Sequence, residues 1–234
     1  KPIGADIRGS LYLNPDGNFP NHIPNPEDKT AIIDIKKKVI EEKADLAVVF
    51  DTDGDRSSLI LNDGLPVTRN KMLALISAYV LEKHPNSVIV TDSVTSSGLT
   101  EFIESHRGTH KRHKRGYQNI REKMIELNQE NIKCYAGGET SGHIMFYENQ
   151  YADDGSYTIA CLIGYYTLLL KKNKNFQSIL HPLKEAKYSY QYRLKIQSDE
   201  FQQIGHKLIT TIKNWAINGE EVIDETEGIR FSIH

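Results

Sequence analysis

Asp51, Asp53 and Asp55 occupy alternate positions in the stretch VVFDTDGDRSSLI, and Arg56 follows at once. Three carboxylates that converge repel one another. At an effective dielectric near 20, each pair a few ångströms apart costs about 3–4 kcal/mol. A divalent cation removes that cost, and hard oxygen ligands in this number favour Mg2+. Arg56 has no place in a simple metal site. It fits if a phosphate lies beyond the metal, where a guanidinium binds it bidentately. Gly54 lets the backbone curl so that residues 51, 53 and 55 can converge. An acidic surface turn is the plain alternative, since Asp and Gly are common turn residues. An EF-hand loop is excluded: counted from Asp51, its sixth and twelfth positions are Arg56 and Asn62 rather than Gly and Glu.

Three further stretches carry chemistry. In GGETSGHIMF, Glu139, Ser141 and His143 alternate between glycines, so their side chains can share one side of a tight loop. Carboxylate, hydroxyl and imidazole together suit the hydroxyls of a sugar; a polar turn with a surface histidine is the competing reading. In HRGTHKRHKRGYQNI, Lys111, Arg112, Lys114 and Arg115 precede Gly116 and a helix start. A cationic loop at a helix N-terminus is an anion site, though a solvated basic face has the same composition. In YADDGSY, Asp153 or Asp154 reads as the N-cap of the next helix, a structural role.

The elements that must position these residues follow from periodicity. AIIDIKKKVIEEKA (31–44) has apolar residues at helical spacing, with Asp28 and Thr30 as candidate N-caps. LAVVF (46–50) reads as a strand buried on both faces, and delivers Asp51 to the carboxyl edge of a sheet, where α/β proteins bind ligands. SSLILN (57–62) and SVIVTD (87–92) read as strands, as do IKCYA (132–136) and HIMFY (143–147). Residues 69–84, the stretch after 95, 117–131 and 156–171 read as helices. This alternation predicts an α/β fold with helical crossovers. From about residue 184 the texture changes to an alternating aromatic strand (188–197), a helix (199–217) and a hairpin in IDETEGIRFSI, a small α+β unit.

Composition excludes other classes. The chain has 234 residues, net charge −2 and 38% hydrophobic residues, an ordinary globular balance. Near-neutrality gives no reason to expect nucleic acid or a membrane as partner. The longest apolar stretch, residues 157–170, is too short for a bilayer, which needs about twenty residues. Cys134 and Cys161 fall in core-like segments and read as reduced packing residues, which predicts a cytoplasmic protein; a disulfide between them is the secondary reading.

FDTDGDR, GGETSGH and ADDGSY, in this order and spacing, together with PDGNFPNHIPNPE and KRGY, resemble the α-D-phosphohexomutase family of phosphoglucomutases and phosphomannomutases. The resemblance implies mixed sheets flanked by helices. It assigns residues 1–66 to the C-terminal part of domain II, 67–183 to domain III and 184–234 to part of domain IV. It implies that Asp51, Asp53 and Asp55 hold Mg2+ with Arg56 near the transferring phosphate. Glu139, Ser141 and His143 then grip a hexose phosphate, and Lys114, Arg115 and Tyr117 help to recognise the sugar in its two orientations. The family's reaction interconverts hexose 1-phosphate and hexose 6-phosphate through a phosphoserine and a bisphosphate intermediate. No T-A-S-H-N-P stretch carries that serine here, so the resemblance places it, and the phosphate loop of domain IV, on missing parts of the same protein. Position 117 is Tyr where some members have His, and Ser93 stands where some have a catalytic Lys. Two rivals share the first motif: a haloacid-dehalogenase-like phosphatase with Asp51 as nucleophile and Asp153 or Asp154 as metal ligand, and a non-catalytic phosphosugar-binding module.

Overall fold

The structure, a computed structural model, describes residues 4–188, 190, 195–217 and 221–232. The chain divides into two compact units, Lys1–Lys184 and Glu185–His234.

The first unit begins with irregular chain and then helix α1 (Lys29–Glu42), capped by the Asp28 carboxylate, which accepts from the Thr30 amide. Strands β1 (Leu46–Phe50), β2 (Ser57–Leu61) and β3 (Pro66–Val67) form an antiparallel sheet in that order. This corrects one expectation. LAVVF forms β1 but is not buried on both faces: β1 is an edge strand, and Phe50 is 40% exposed. The strand buried throughout is β2, which has a neighbour on each side. Place in the sheet, not apolar content, sets burial here.

The larger sheet has the order β5-β4-β6-β7, from β4 (Val88–Asp92), β5 (Thr109–His113), β6 (Cys134–Gly138) and β7 (Ile144–Phe146). β4 runs parallel to β5 and β6, while β7 turns back antiparallel to β6. Helices α2 (Asn70–Lys83), α3 (Ser97–Ser105), α4 (Tyr117–Gln129), α5 (Gly155–Lys171) and α6 (Phe176–Leu180) complete the unit. Alternation along β4 divides the core. Ile89 joins Leu73, Ile76, Phe102, Ile103, Leu162 and Phe176 on the side of α2, α3, α5 and α6. Val88 and Val90 meet Ile120, Met124 and Leu127 of α4 on the other. The sheet is thus covered on both faces, which is why Val88, Ile89 and Val90 of β4 are all apolar.

β5 is not legible as a strand in the sequence. Residues 106–116 read as a cationic loop, yet Thr109–His113 pairs along β4. Thr109 and Lys111 are exposed, while the inward polar side chains are bonded: His110 Nε2 lies 2.6 Å from Thr91 Oγ1 and its Nδ1 lies 2.8 Å from Thr100 Oγ1. Arg112 donates to the Ser96 carbonyl and to Thr100 Oγ1. An edge strand satisfied this way needs no apolar period.

The second unit contains α7 (Phe201–Ile217) and the antiparallel hairpin of β8 (Glu221–Asp224) and β9 (Arg230–Ser232), the predicted hairpin. The Trp215 ring meets Phe231 edge-on at 5.9 Å. Most of the alternating strand expected at 188–197 lies outside the described residues. Cys134 and Cys161 are both free thiols. No helix among the described residues is long and apolar enough to cross a membrane.

Candidate functional site

The acidic loop leaves β1 and enters β2, and Asp51 is its anchor. Its side chain is 2% exposed. Oδ1 accepts from the amides of Gly54 and Arg56, both at 3.1 Å, and Oδ2 accepts from Arg56 Nε at 2.6 Å. Gly54 has φ +75°, the left-handed turn that closes this ring of bonds. Ligand oxygens of Asp51, Asp53 and Asp55 lie within 4.8 Å of one another. Asp53 is exposed, whereas Asp55 Oδ1 is buried without a hydrogen-bond partner among the described residues.

The electrostatics of the loop are divided. Burial works against the charge on Asp51, but the Arg56 amide and guanidinium outweigh it and hold its carboxyl below the ordinary value. For Asp55 the compensation falls short, although Arg56 Nε lies 3.8 Å from its Oδ1. Burial, with the Asp51 and Asp153 carboxylates beside it, pushes its carboxyl up to about 6 despite the nearby imidazole of His143. A cation would relieve this crowding, and an all-oxygen donor set with an unsatisfied buried oxygen fits a hard divalent ion.

The glycine-rich loop joins β6 to β7. Glu139 is buried at 6% exposure, and its Oε1 accepts from the Gly116 amide at 2.7 Å. Burial raises the Glu139 carboxyl, and the Gly116 amide only partly offsets this. Ser141 Oγ is buried with no partner among the described residues. His143 Nδ1 lies 2.5 Å from Asp153 Oδ2 and 3.7 Å from an Asp55 oxygen. Burial disfavours the imidazolium, but hydrogen bonding to Asp153 and the charges of Asp153, Asp55 and Glu139 win and raise its pKa. Its ring stands 5.7 Å from that of Tyr117.

The acidic and glycine-rich loops are joined through the backbone. Arg56 and His143 form an isolated antiparallel bridge, and Met145 bridges Asp153. The Gly155 amide at the start of α5 donates to the Gly54 carbonyl at 3.1 Å. The structure therefore brings together Asp51, Asp53, Asp55, Arg56, Glu139, Ser141, His143 and Tyr117. Lys114 and Arg115 are exposed next to Gly116 on the same connection. Arg115 acts on the cluster through its charge on Glu139.

The sequence misleads on one residue of the site. Asp154 is the helix cap, accepting from the Tyr157 amide at 2.9 Å. Asp153, its neighbour, is not structural in that sense: it is paired with His143, and Asp55, His143 and Asp153 form a second group with ligand atoms within 4.8 Å. Adjacent carboxylates before a glycine are the only signal. One such residue can cap, and alternation along the chain turns the other to the opposite side.

These features define an α/β protein with a cation-competent carboxylate loop interlocked with a polar, glycine-flanked loop. The family model for phosphoglucomutase/phosphomannomutase alpha/beta/alpha domain III matches residues 68–185, and that for domain II matches residues 8–64. The chain belongs to this family, the α-D-phosphohexomutases. A phosphomannomutase/phosphoglucomutase of Pseudomonas syringae pv. tomato is 37% identical over 162 residues, 69% of this chain and 34% of that protein. A phosphoglucomutase of Neisseria gonorrhoeae is 28% identical over 187 residues, 80% of this chain and 38% of its own length. The crystal structure of a phosphoglucomutase/phosphomannomutase family protein from Burkholderia thailandensis superposes with a TM-score of 0.75 at 27% identity, covering 93% of this chain and 44% of that one. The chain thus spans about a third of the length of the curated relatives it matches. Family membership disfavours the haloacid-dehalogenase-like reading.

Proposed function

We propose that this chain supplies the metal loop and the sugar loop of a phosphohexomutase, an isomerase that interconverts hexose 1-phosphate and hexose 6-phosphate. The observation that carries the reading is the bridge between Arg56 and His143, which puts the acidic loop and the glycine-rich loop in one place. In this reading residues 1–66 belong to domain II, 67–183 to domain III and 184–234 to domain IV. The phosphoserine lies on a segment outside these 234 residues, and two free thiols fit a cytoplasmic setting.

Asp51, Asp53 and Asp55 would hold Mg2+, which when bound neutralises phosphoryl oxygens and balances developing charge. The chain's own residues do the rest by positioning, which is most of what phosphoryl transfer requires. Arg56 is fixed through Nε on Asp51, so its terminal nitrogens remain for a phosphate. Ser141 Oγ, buried and without a hydrogen-bond partner among the described residues, is a ready partner for a sugar hydroxyl. Glu139 keeps Oε2 for another hydroxyl, since Oε1 is engaged by Gly116. Tyr117 flanks His143 and offers an aromatic wall to the sugar ring.

Calorimetry tests the metal assignment. Asp53→Asn should weaken Mg2+ binding about tenfold or more while leaving the fold intact, because Asp53 is exposed. Unchanged affinity would remove Asp53 from the ligand set. In a coupled mutase assay the 234 residues alone should show no turnover; turnover would mean that the phosphoryl donor lies within them.

A further inference from the structure

We infer that Asp92, at the carboxyl end of β4, is the positioning residue of the sugar loop, acting through Thr140. β4 and β6 pair in parallel as far as Thr91 and Gly138. Beyond that point the ladder stops: the Glu139 amide turns to the His143 carbonyl, and the Gly142 amide to the Glu139 carbonyl. The Thr140 amide is left over. Asp92 Oδ2 accepts it at 2.9 Å and accepts the Thr140 hydroxyl at 2.7 Å. The side chain of one strand therefore extends the sheet by one bond into the loop. Thr140 stands between Glu139 and Ser141, so its position sets both.

A bland core does not call for a carboxylate here. Asp92 is 1% exposed, and its Oδ1 has no hydrogen-bond partner among the described residues. A buried carboxylate with an unmet oxygen is costly. It also faces a second buried carboxylate, and the Asp92 charge is one of the influences that raise Glu139. An amide or hydroxyl could accept from Thr140 without that repulsion. What the charge adds is the strength of charge-assisted bonds to a loop that must not drift. Glu139 is held from the other side by Gly116, so the loop is clamped between β4 and the start of α4.

The test uses the full chain with Thr140→Val, Thr140→Ser and Asp92→Ala. Two readouts separate this inference from the reading on which its binding arm rests. The first is hydrogen exchange at residues 139–143. Asp92→Ala, which removes the acceptor of both bonds, should lose protection at the residue-140 amide about tenfold or more, while Thr140→Val, which keeps the amide bond and loses only the hydroxyl bond, should lose less, and Thr140→Ser should keep it. Unchanged protection in Asp92→Ala would overturn the clamp, whatever the ligand. The second readout is glucose 1-phosphate binding in Mg2+, beside Mg2+ binding alone. Thr140→Val should weaken the sugar phosphate about tenfold with Mg2+ affinity unchanged, and Thr140→Ser should restore it. Wild-type binding of glucose 1-phosphate with equal binding by Thr140→Val would overturn the positioning role. Absence of wild-type binding would instead count against the hexose-phosphate reading and leave exchange to decide the clamp. Should Asp92→Ala fail to fold, Asp92→Leu, of similar shape and likewise without an acceptor, decides the clamp by exchange, and Thr140→Val decides the positioning role by binding.

Discussion

Gly155→Ala is the substitution that most directly probes how the acidic loop is held. Gly155 opens α5 and is buried, and its amide donates to the Gly54 carbonyl at 3.1 Å. A Cβ on Gly155 would lie 2.7 Å from the Gly54 carbonyl oxygen, 3.0 Å from the Arg56 carbonyl carbon and 3.1 Å from its oxygen. All three are backbone atoms of the acidic loop, so no side chain can rotate away. Either α5 or the loop must move. Overpacking of this kind costs about 1–3 kcal/mol. Weakening the Gly155–Gly54 hydrogen bond adds about 0.5–1.5 kcal/mol. Restricting the unfolded chain returns about 0.4–1 kcal/mol. The net is a loss of about 2 kcal/mol for the first unit.

The same helix contains its own control. Gly164 is exposed in the middle of α5, and a Cβ there meets nothing within 4 Å. Gly164→Ala should therefore stabilise by about 1 kcal/mol through helix propensity alone. Urea denaturation of the two variants should move in opposite directions, about 3 kcal/mol apart. Because the displaced atoms belong to the loop bearing Asp53 and Asp55, Gly155→Ala should also weaken Mg2+ binding, and Gly164→Ala should not. If Gly155→Ala proved as stable as Gly164→Ala with the same Mg2+ affinity, the close approach of α5 to the acidic loop would be wrong.

Three more outcomes follow from the charges. The Asp55 carboxyl, pushed up to about 6, competes as an acid with Mg2+. Metal affinity measured by calorimetry should rise as pH climbs through about 6, level off above it, and fall about tenfold per unit below it. Without Mg2+ the sign for folding is reversed. A carboxyl whose folded pKa lies above its unfolded value destabilises as pH rises between the two, so stability should decline from about pH 4 to about pH 6. A flat affinity profile would remove Asp55 from the metal site. Asp153→Asn removes the partner charge from His143 and leaves its burial in place. In an NMR titration the His143 midpoint, held above the ordinary histidine value in the wild type, should drop; an unmoved midpoint would show that Asp153 is not its partner.

The acidic loop is legible in the sequence because its chemistry is local. Three carboxylates, a glycine and an arginine within six residues define a backbone ring that needs no information from elsewhere. The glycine-rich loop is legible in composition but not in geometry. Nothing local says that Glu139 spends one oxygen on Gly116, because that bond crosses 23 residues of chain. β5 escapes for a related reason. Its inward side chains, His110 and Arg112, are polar and satisfy themselves on α3 and β4, so the run has no apolar face to betray a strand.

Asp153 shows why such misreadings gather at a site. The pair Asp153–Asp154 supplies one cap, and local reasoning stops once the cap is assigned. Only the antiparallel bridge of Met145 to Asp153 turns the other carboxylate toward His143. There three like charges, Asp55, Asp153 and Glu139, act on one half-buried imidazole. Left alone, that arrangement raises the Asp55 carboxyl and leaves oxygens of Asp55 and Asp153 without partners among the described residues. A folded core would select against it. At the junction of two loops it fits the cation proposed above, which would meet the unpartnered carboxylate oxygens and offset their mutual repulsion.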